Sequence, residues 1–325
     1  MINSKKEPLI IVVAKKSCSK SSLHGDCQTI SAAIKKAKAG DRILVKPGNY
    51  QEDLVIDKPL EIIGEGKVAD IIIESQNASC ISMETDKALV RGLSLLNRAK
   101  GCFAVYIPQG KLTLENCDIT SETLSCVGIH GAEGIVSYCK IHDAKKGAGV
   151  YVYENGTGRI ENCEIFGNAD SGIAISEGGN PIVQHCKIYD GKDSGVLVWE
   201  NGTGRIENCE IFGNVLGIAI SEGGNPIVQH CKIHDGKDSG VLVWENGTGR
   251  IENCEIFGNA LAGIEIKTGG NPVVRKCTIK QNGYWAVWVF YGGAGTIKNC
   301  DLRDNAKGAW KIQSGCQVRR SGNKE

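Results

Sequence analysis

The chain lacks an excess of either charge sign: 38 Lys and Arg face 37 Asp and Glu. A net charge of +1 gives no electrostatic basis for holding nucleic acid or an anionic membrane surface, so neither is expected as a partner. No apolar run approaches the roughly 20 residues that cross a bilayer. The start, MINSKKEPLIIVVAKKS, has only the short apolar stretch Leu9 to Ala14 and no small-residue cleavage pattern, which argues against a secretory signal. No CxxC pair suggests a zinc site, and neither a metal nor a cofactor is expected. The 15 cysteines are plentiful but too evenly placed for a secreted disulfide framework, so a reduced, cytoplasmic protein is expected.

What the chain does have is a repeat. The stretch NPIVQHCKIYDGKDSGVLVWENGTGRIENCEIFGN (Asn180 to Asn214) recurs at Asn225 to Asn259 with one change, Tyr189 becoming His234. Looser copies lie at Cys139 to Asn168 and from Asn271 onward. Each copy carries two cysteines, so the unit is half as long. From Cys117 to Cys300 the steps between successive repeat cysteines are 22, 24, 23, 23, 22, 23, 23 and 23 residues. A fixed period of this size marks a solenoid or another repeat array. Within a unit, apolar residues alternate over three short segments, punctuated by Asn and Gly, which predicts a three-sided coil of parallel strands. The expected architecture is an all-β, single-stranded parallel β-helix of about 12 coils, the coils stacked about 4.8 Å apart.

The predicted organisation has a partly irregular segment at 1–26, a β-helix at 27–315 and a tail at 316–325. Within the β-helix, 27–40 reads as a capping helix, with Asp26 a candidate N-cap and Gly40 its end, and 117–305 holds the regular repeats. Inward columns are predicted as Val183, Ile206, Val228, Ile251; as Ile188, Ile211, Ile233, Ile256; and as Val196, Ile218, Val241. The repeat cysteines are read as buried thiols acting as small hydrophobes at a bend.

These residues resemble a family. The helix followed by GDRILVKPGNYQEDLVIDKPLEIIGEG looks like the amino-terminal start of pectin-lyase-like right-handed parallel β-helices. The units resemble the parallel β-helix repeats of carbohydrate-binding and sugar-hydrolase-type domains, closest to those of certain F-box proteins and related bacterial proteins. The resemblance implies a right-handed β-helix, in a protein of bacterial origin. It does not imply one activity, because the fold carries lyases, hydrolases, esterases and epimerases as well as binding modules. The DPHD of the epimerases, the GHG set of polygalacturonases, the QDTL and DFIFG of esterases and the RxPxxR of lyases are all missing.

Two groups of candidate site residues remain. Asp118, Glu122, His130 and Glu133 gather in DITSETLSCVGIHGAE, the stretch that breaks the pattern before the copies begin, and are weak catalytic candidates. Acids in the DGKDSG and ENGTG turns, among them Asp193, Asp238, Glu200 and Glu245, are read as turn chemistry. The stronger signal is an outward stripe: Tyr151 and Tyr153, Leu197 and Trp199, Leu242 and Trp244, Trp288 and Phe290. The coils between carry Ala174 and Ser176, Ala219 and Ser221, and Glu265 and Lys267 at the same places. Such a stripe fits either ligand stacking or cross-coil packing. The expectation drawn from it is a non-enzymatic binding or scaffold β-helix that recognises a polysaccharide or a protein along this face. A polysaccharide-active lyase, hydrolase or epimerase is the alternative.

Overall fold

The computed structural model describes residues 8–15 and 25–325. Their strands stack into three parallel sheets that wind together as one solenoid. Sheet A has fourteen strands, from Ile10–Val13 to Gln317–Ser321; sheet B has eleven, from Gly48–Gln51 to Thr278–Lys280; sheet C has twelve, from Leu54–Ile56 to Gly308–Ile312. Chain order runs A, B, C in each coil, so away from the two ends each strand pairs with the strand three positions on.

The two-residue alternation decides what faces inward. Val183, Ile206, Val228 and Ile251 stand in register in sheet A, and Ile188, Ile211, Ile233 and Ile256 in sheet B. Val196, Ile218 and Val241 do so in sheet C, and all of these are fully buried. Stacked β-branched side chains fill the narrow core without the rotamer loss they would suffer in a helix. The cysteines lie at the A-to-B bend as expected. Cys163 and Cys209 are each 2% exposed, and each thiol donates to the carbonyl two residues back, at 3.2 and 3.3 Å. At the B-to-C bend, burial pushes the Cys80 thiol up to about 12. At the same bend, Asn259 donates from Nδ2 to Asn282 Oδ1, and Asn282 likewise to Asn305, both at 2.9 Å. This ladder satisfies polar groups that the bend would otherwise strand in the core.

The ends differ from the sequence-based expectation. The helix α1 spans Ile30–Lys36, shorter than 27–40, and its N-cap is Thr29 instead of Asp26. Thr29 Oγ1 accepts from the Ala32 N–H at 3.2 Å, and the Glu52 carboxylate takes the Ile30 and Ser31 N–H groups at 2.9 and 2.8 Å. With those donors satisfied, Asp26 accepts from the Val12 N–H instead, at 2.9 Å. Ile30, Ala33 and Ile34 close the first coil over Ile43 and Leu54. Residues 316–325, expected as a tail, contain a strand: Gln317–Ser321 pairs with Ala294–Lys298 and extends sheet A.

Candidate active site

The four weak candidates are dispersed over three faces. Asp118 lies on sheet B, where its carboxylate accepts from His142 Nε2–H at 2.9 Å. Glu133 lies on sheet A and pairs with Lys111 at 2.8 Å. Glu122 follows sheet B and pairs with Arg98, which also holds Glu74 at 2.7 Å. Only His130 reaches sheet C. Sequence proximity misleads here because successive segments of a coil turn onto different sides.

His130 joins a cluster of rings that the sequence reading placed only in part. Tyr106 hydroxyl and His130 Nδ1 are hydrogen-bonded at 2.9 Å, and His130 stacks on Tyr153 with ring centres 4.8 Å apart. Tyr153 stacks on Tyr151 at 4.4 Å, and Tyr151 on Trp199 at 5.7 Å. Phe103 lies over the Gly128 backbone, where any Cβ would meet its ring at 2.8 Å, and it stacks on Tyr106 at 5.5 Å. The stripe continues past Leu197 through Leu242 and Trp244 to Trp288 and Phe290, whose rings lie 4.5 Å apart.

The stripe is half-buried, contrary to the picture of rings standing proud over low ground. The rings lean across the intervening coils and cover them. Ser176 is fully buried beneath, with its Oγ 2.9 Å from the Tyr151 hydroxyl, while Ala174 and Ala219 are 3% and 1% exposed. Glu265 is 6% exposed; it accepts from Ser239 Oγ at 3.0 Å and pairs with Lys267 at 3.1 Å. The face is thus a floor of aromatic and small residues, with a half-buried ion pair near its carboxy-terminal end.

The edge of sheet C where each strand ends carries a feature the repeat spelling hides. ENGTG and SEGGN alternate, yet both put a glutamate at the same corner: Glu154, Glu177, Glu200, Glu222 and Glu245. All five have left-handed backbone, with φ between 44° and 50°. At the other two corners the left-handed positions are mostly Asn, Asp and Gly, such as Asn162, Asn208, Asp190 and Gly213, the residues that tolerate this region best. Glutamate offers no such backbone advantage, so its side chain is the reason for its presence. In the next residue column, Asn155 packs over Gly178, where a Cβ would come within 2.5 Å of Asn155 Oδ1.

Stacked carboxylates repel, by roughly 1 kcal/mol for unit charges about 4.8 Å apart in water. Reduced solvation, then the charges of Glu154 and Glu200, hold the Glu177 carboxyl above the usual carboxylate range, and a hydrogen bond with Glu154 adds to the rise. At the opposite edge, burial and then Asp170 raise Asp193. Burial also raises the Tyr151 and Tyr153 hydroxyls, helped at Tyr153 by Tyr106. In the coils of Tyr153, Ser176 and Trp199 the ring floor therefore lies beside a carboxyl held in its protonated form to higher pH than usual. That combination suits proton donation to a bound sugar.

Sequence reasoning missed Phe103, Tyr106, Glu154, Glu177 and Glu222. Tyr106 was open to the alternation argument, as the outward residue of Val105–Ile107. The glutamate column emerges once ENGTG and SEGGN are aligned by coil. Phe103 precedes its strand and is placed only by the fold.

The description "Right handed beta helix region" fits residues 79–218 and 193–324, which together span most of the chain. No curated protein sequence matches the chain. Among solved structures, the Azotobacter vinelandii mannuronan C-5 epimerase AlgE6 A-module is similar at 16% identity and TM-score 0.63, covering 90% of this chain and 92% of that one. The periplasmic alginate epimerase AlgG is similar at 14% identity and TM-score 0.64, covering 87% of this chain and 76% of that one. The catalytic domain of a GH87 alpha-1,3-glucanase in complex with nigerose reaches TM-score 0.75 at 12% identity, covering 98% of this chain and 69% of that one. These likenesses overturn the expectation of a non-enzymatic binding or scaffold module, because these three solved structures, similar over 87% to 98% of this chain, are two epimerases and a glucanase. Sheet order, pectin-lyase-like neighbours and the match across the repeats agree: the chain belongs to the right-handed β-helix family.

Proposed function

We propose that the protein is a polysaccharide-active enzyme that works on the outer face of sheet C by carboxyl acid catalysis. The observation that carries this reading is the Glu154–Glu177 pair, its second carboxyl raised, at the margin of a ring floor made by His130, Tyr153, Tyr151 and Trp199. The rings stack on sugar faces and hold the chain in place. Protonated Glu177 gives its proton to the glycosidic oxygen as the bond from that oxygen to the anomeric carbon breaks. Glu154, hydrogen-bonded to Glu177, keeps that proton in place to higher pH, and the water whose oxygen bonds to the anomeric carbon releases its proton to solvent, so one water is consumed per bond cleaved. The structural neighbours named for nigerose and alginate support a polysaccharide as the partner.

A second reading draws on the Tyr106–His130 hydrogen bond, a proton-transfer pair on the same face. It would serve C5 proton abstraction from a uronate, giving epimerisation or elimination. One screen separates the two. Neutral glycans and polyuronates are incubated with the protein and scored for new reducing ends, for absorbance of unsaturated products and for C5 inversion by NMR. New reducing ends without unsaturated product are expected. Turnover of no glycan in the screen would refute the enzymatic reading.

A further inference from the structure

Resting on the proposed activity at sheet C, we infer that this groove takes an uncharged polysaccharide and turns away polyuronates, with Glu200, Glu222 and Glu245 setting the preference. Three observations carry the inference. First, none of the five corner glutamates has an ion-pair partner among the described residues, although Lys and Arg form fourteen such pairs with other carboxylates there. Sheets A and B cancel their charges by placing Arg or Lys beside Glu, as at Arg275 and Glu252, 2.9 Å apart. The corner beyond sheet C does not.

Second, the outward positions of sheet C from Gly128 to Trp244 contain neither Lys nor Arg. The first cation in the stripe, Lys267, is already held by Glu265 at 3.1 Å. The opposite edge is mixed: Asp170, Asp193 and Asp238 accompany Lys145, Lys146, Lys192 and Lys237. A chain lying on the rings therefore meets a wall of glutamates with no cation on one side and a mixed wall of lysines and aspartates on the other.

Third, this corner carries glutamate at left-handed positions where the backbone would favour Asn or Gly. A polyuronate carries one carboxylate per sugar, and laid along the solenoid it would meet a glutamate about every 4.8 Å. A neutral glycan offers hydroxyl donors to the same acceptors, which bind it without opposing charge. Selection by repulsion of this kind acts against the wrong ligand as much as in favour of the right one.

The test measures binding of labelled neutral hexasaccharides (gluco, manno and galacto) and labelled guluronate, mannuronate and galacturonate hexasaccharides to the full chain, with EDTA present. At about 20 mM salt, the best neutral glycan should bind at least about tenfold more tightly than any uronate, and about 500 mM salt should narrow that gap by screening. In E200Q/E222Q/E245Q the ratio of uronate to neutral affinity should rise by about tenfold. Uronates bound as well as neutral glycans by the wild type, or an unchanged ratio in the folded triple variant, would overturn the inference while leaving polysaccharide activity standing. If neither class is bound, the functional reading beneath it falls as well. Should the triple variant fail to fold by circular dichroism, the wild-type salt series decides alone.

Discussion

Two columns of rings run along this solenoid, and their difference separates packing from function. On sheet B, His142, Phe166, Tyr189, Phe212, His234 and Phe257 stack coil upon coil with ring centres 4.6 to 5.3 Å apart. Beside them the register alternates Lys140, Glu164, Lys187, Glu210, Lys232 and Glu255, so each cation stands between anions. Every ring there has a ring neighbour and every charge an opposite one: the column is complete. On sheet C, from Tyr151 to Trp288, the rings recur only every second coil, lean over buried Ser176 and Ala219, and border glutamates with no cation partner among the described residues. One face has satisfied its own groups, whereas the other has left acceptors and ring faces to be met by something else.

The comparison can be broken by substitution. Glu177→Gln should lower turnover by about a hundred- to ten-thousand-fold while leaving glycan binding in place, measured as reducing ends released. Glu164→Gln, on sheet B, should leave turnover unchanged. Next in size are the rings. Phe212→Ala removes stacks on Tyr189 and His234, at 4.9 and 5.3 Å, and should cost about 1–3 kcal/mol in urea unfolding without touching glycan affinity. Trp199→Ala should do the reverse, weakening hexasaccharide binding by about tenfold at a cost of about 1 kcal/mol in stability. Equal effects on binding from both changes would erase the distinction.

A smaller effect is expected at His142, which donates from both ring nitrogens, to Asp118 at 2.9 Å and Asp143 at 2.8 Å. The hydrogen bond to Asp118, then that to Asp143, raises its pKa. A raised folded-state value means the stabilisation is full below the unfolded value near 6.5 and fades as pH rises through the folded one. Asp118→Asn should therefore lower the melting temperature by about 1–2 °C at pH 6 and by less at pH 8.5. The smallest effect is a shift of profile. Activity needs Glu177 protonated, so it falls as pH rises through that raised pKa. Glu200→Gln removes one cause of the rise and should move this limb to lower pH. No movement would mean that Glu200 does not act on the acid.

How much of this could be read from the sequence depended on whether a signal was periodic. The cysteine spacing and the Val and Ile alternation yield the three sheets, their registers and the buried columns, because a repeat multiplies weak local preferences into one pattern. The cap was legible in kind but not in detail: Asp26 looks like an N-cap until Glu52, 22 residues beyond Ile30, takes the helix donors. The tail hid a strand because QVRRS has a half-exposed valine and no apolar run, and pairing with Ala294–Lys298 completes it. The site was legible only in part. Tyr151, Tyr153, Leu197 and Trp199 follow from alternation, but Asp118, Glu122 and Glu133 were grouped with His130 by closeness in sequence, which a three-sided coil sends to different faces. Alternating ENGTG and SEGGN concealed the glutamate column as ordinary turns.

The most direct test is hydrogen exchange of the full-length Glu177→Gln chain, free and saturated with the hexasaccharide that the wild type turns over fastest. The sheet C account predicts slowed exchange in residues 150–157, 173–180 and 196–203, with the sheet B strands Glu164–Phe166, Lys187–Tyr189 and Glu210–Phe212 unchanged. Protection on sheet B, or none on sheet C despite saturation, would contradict it.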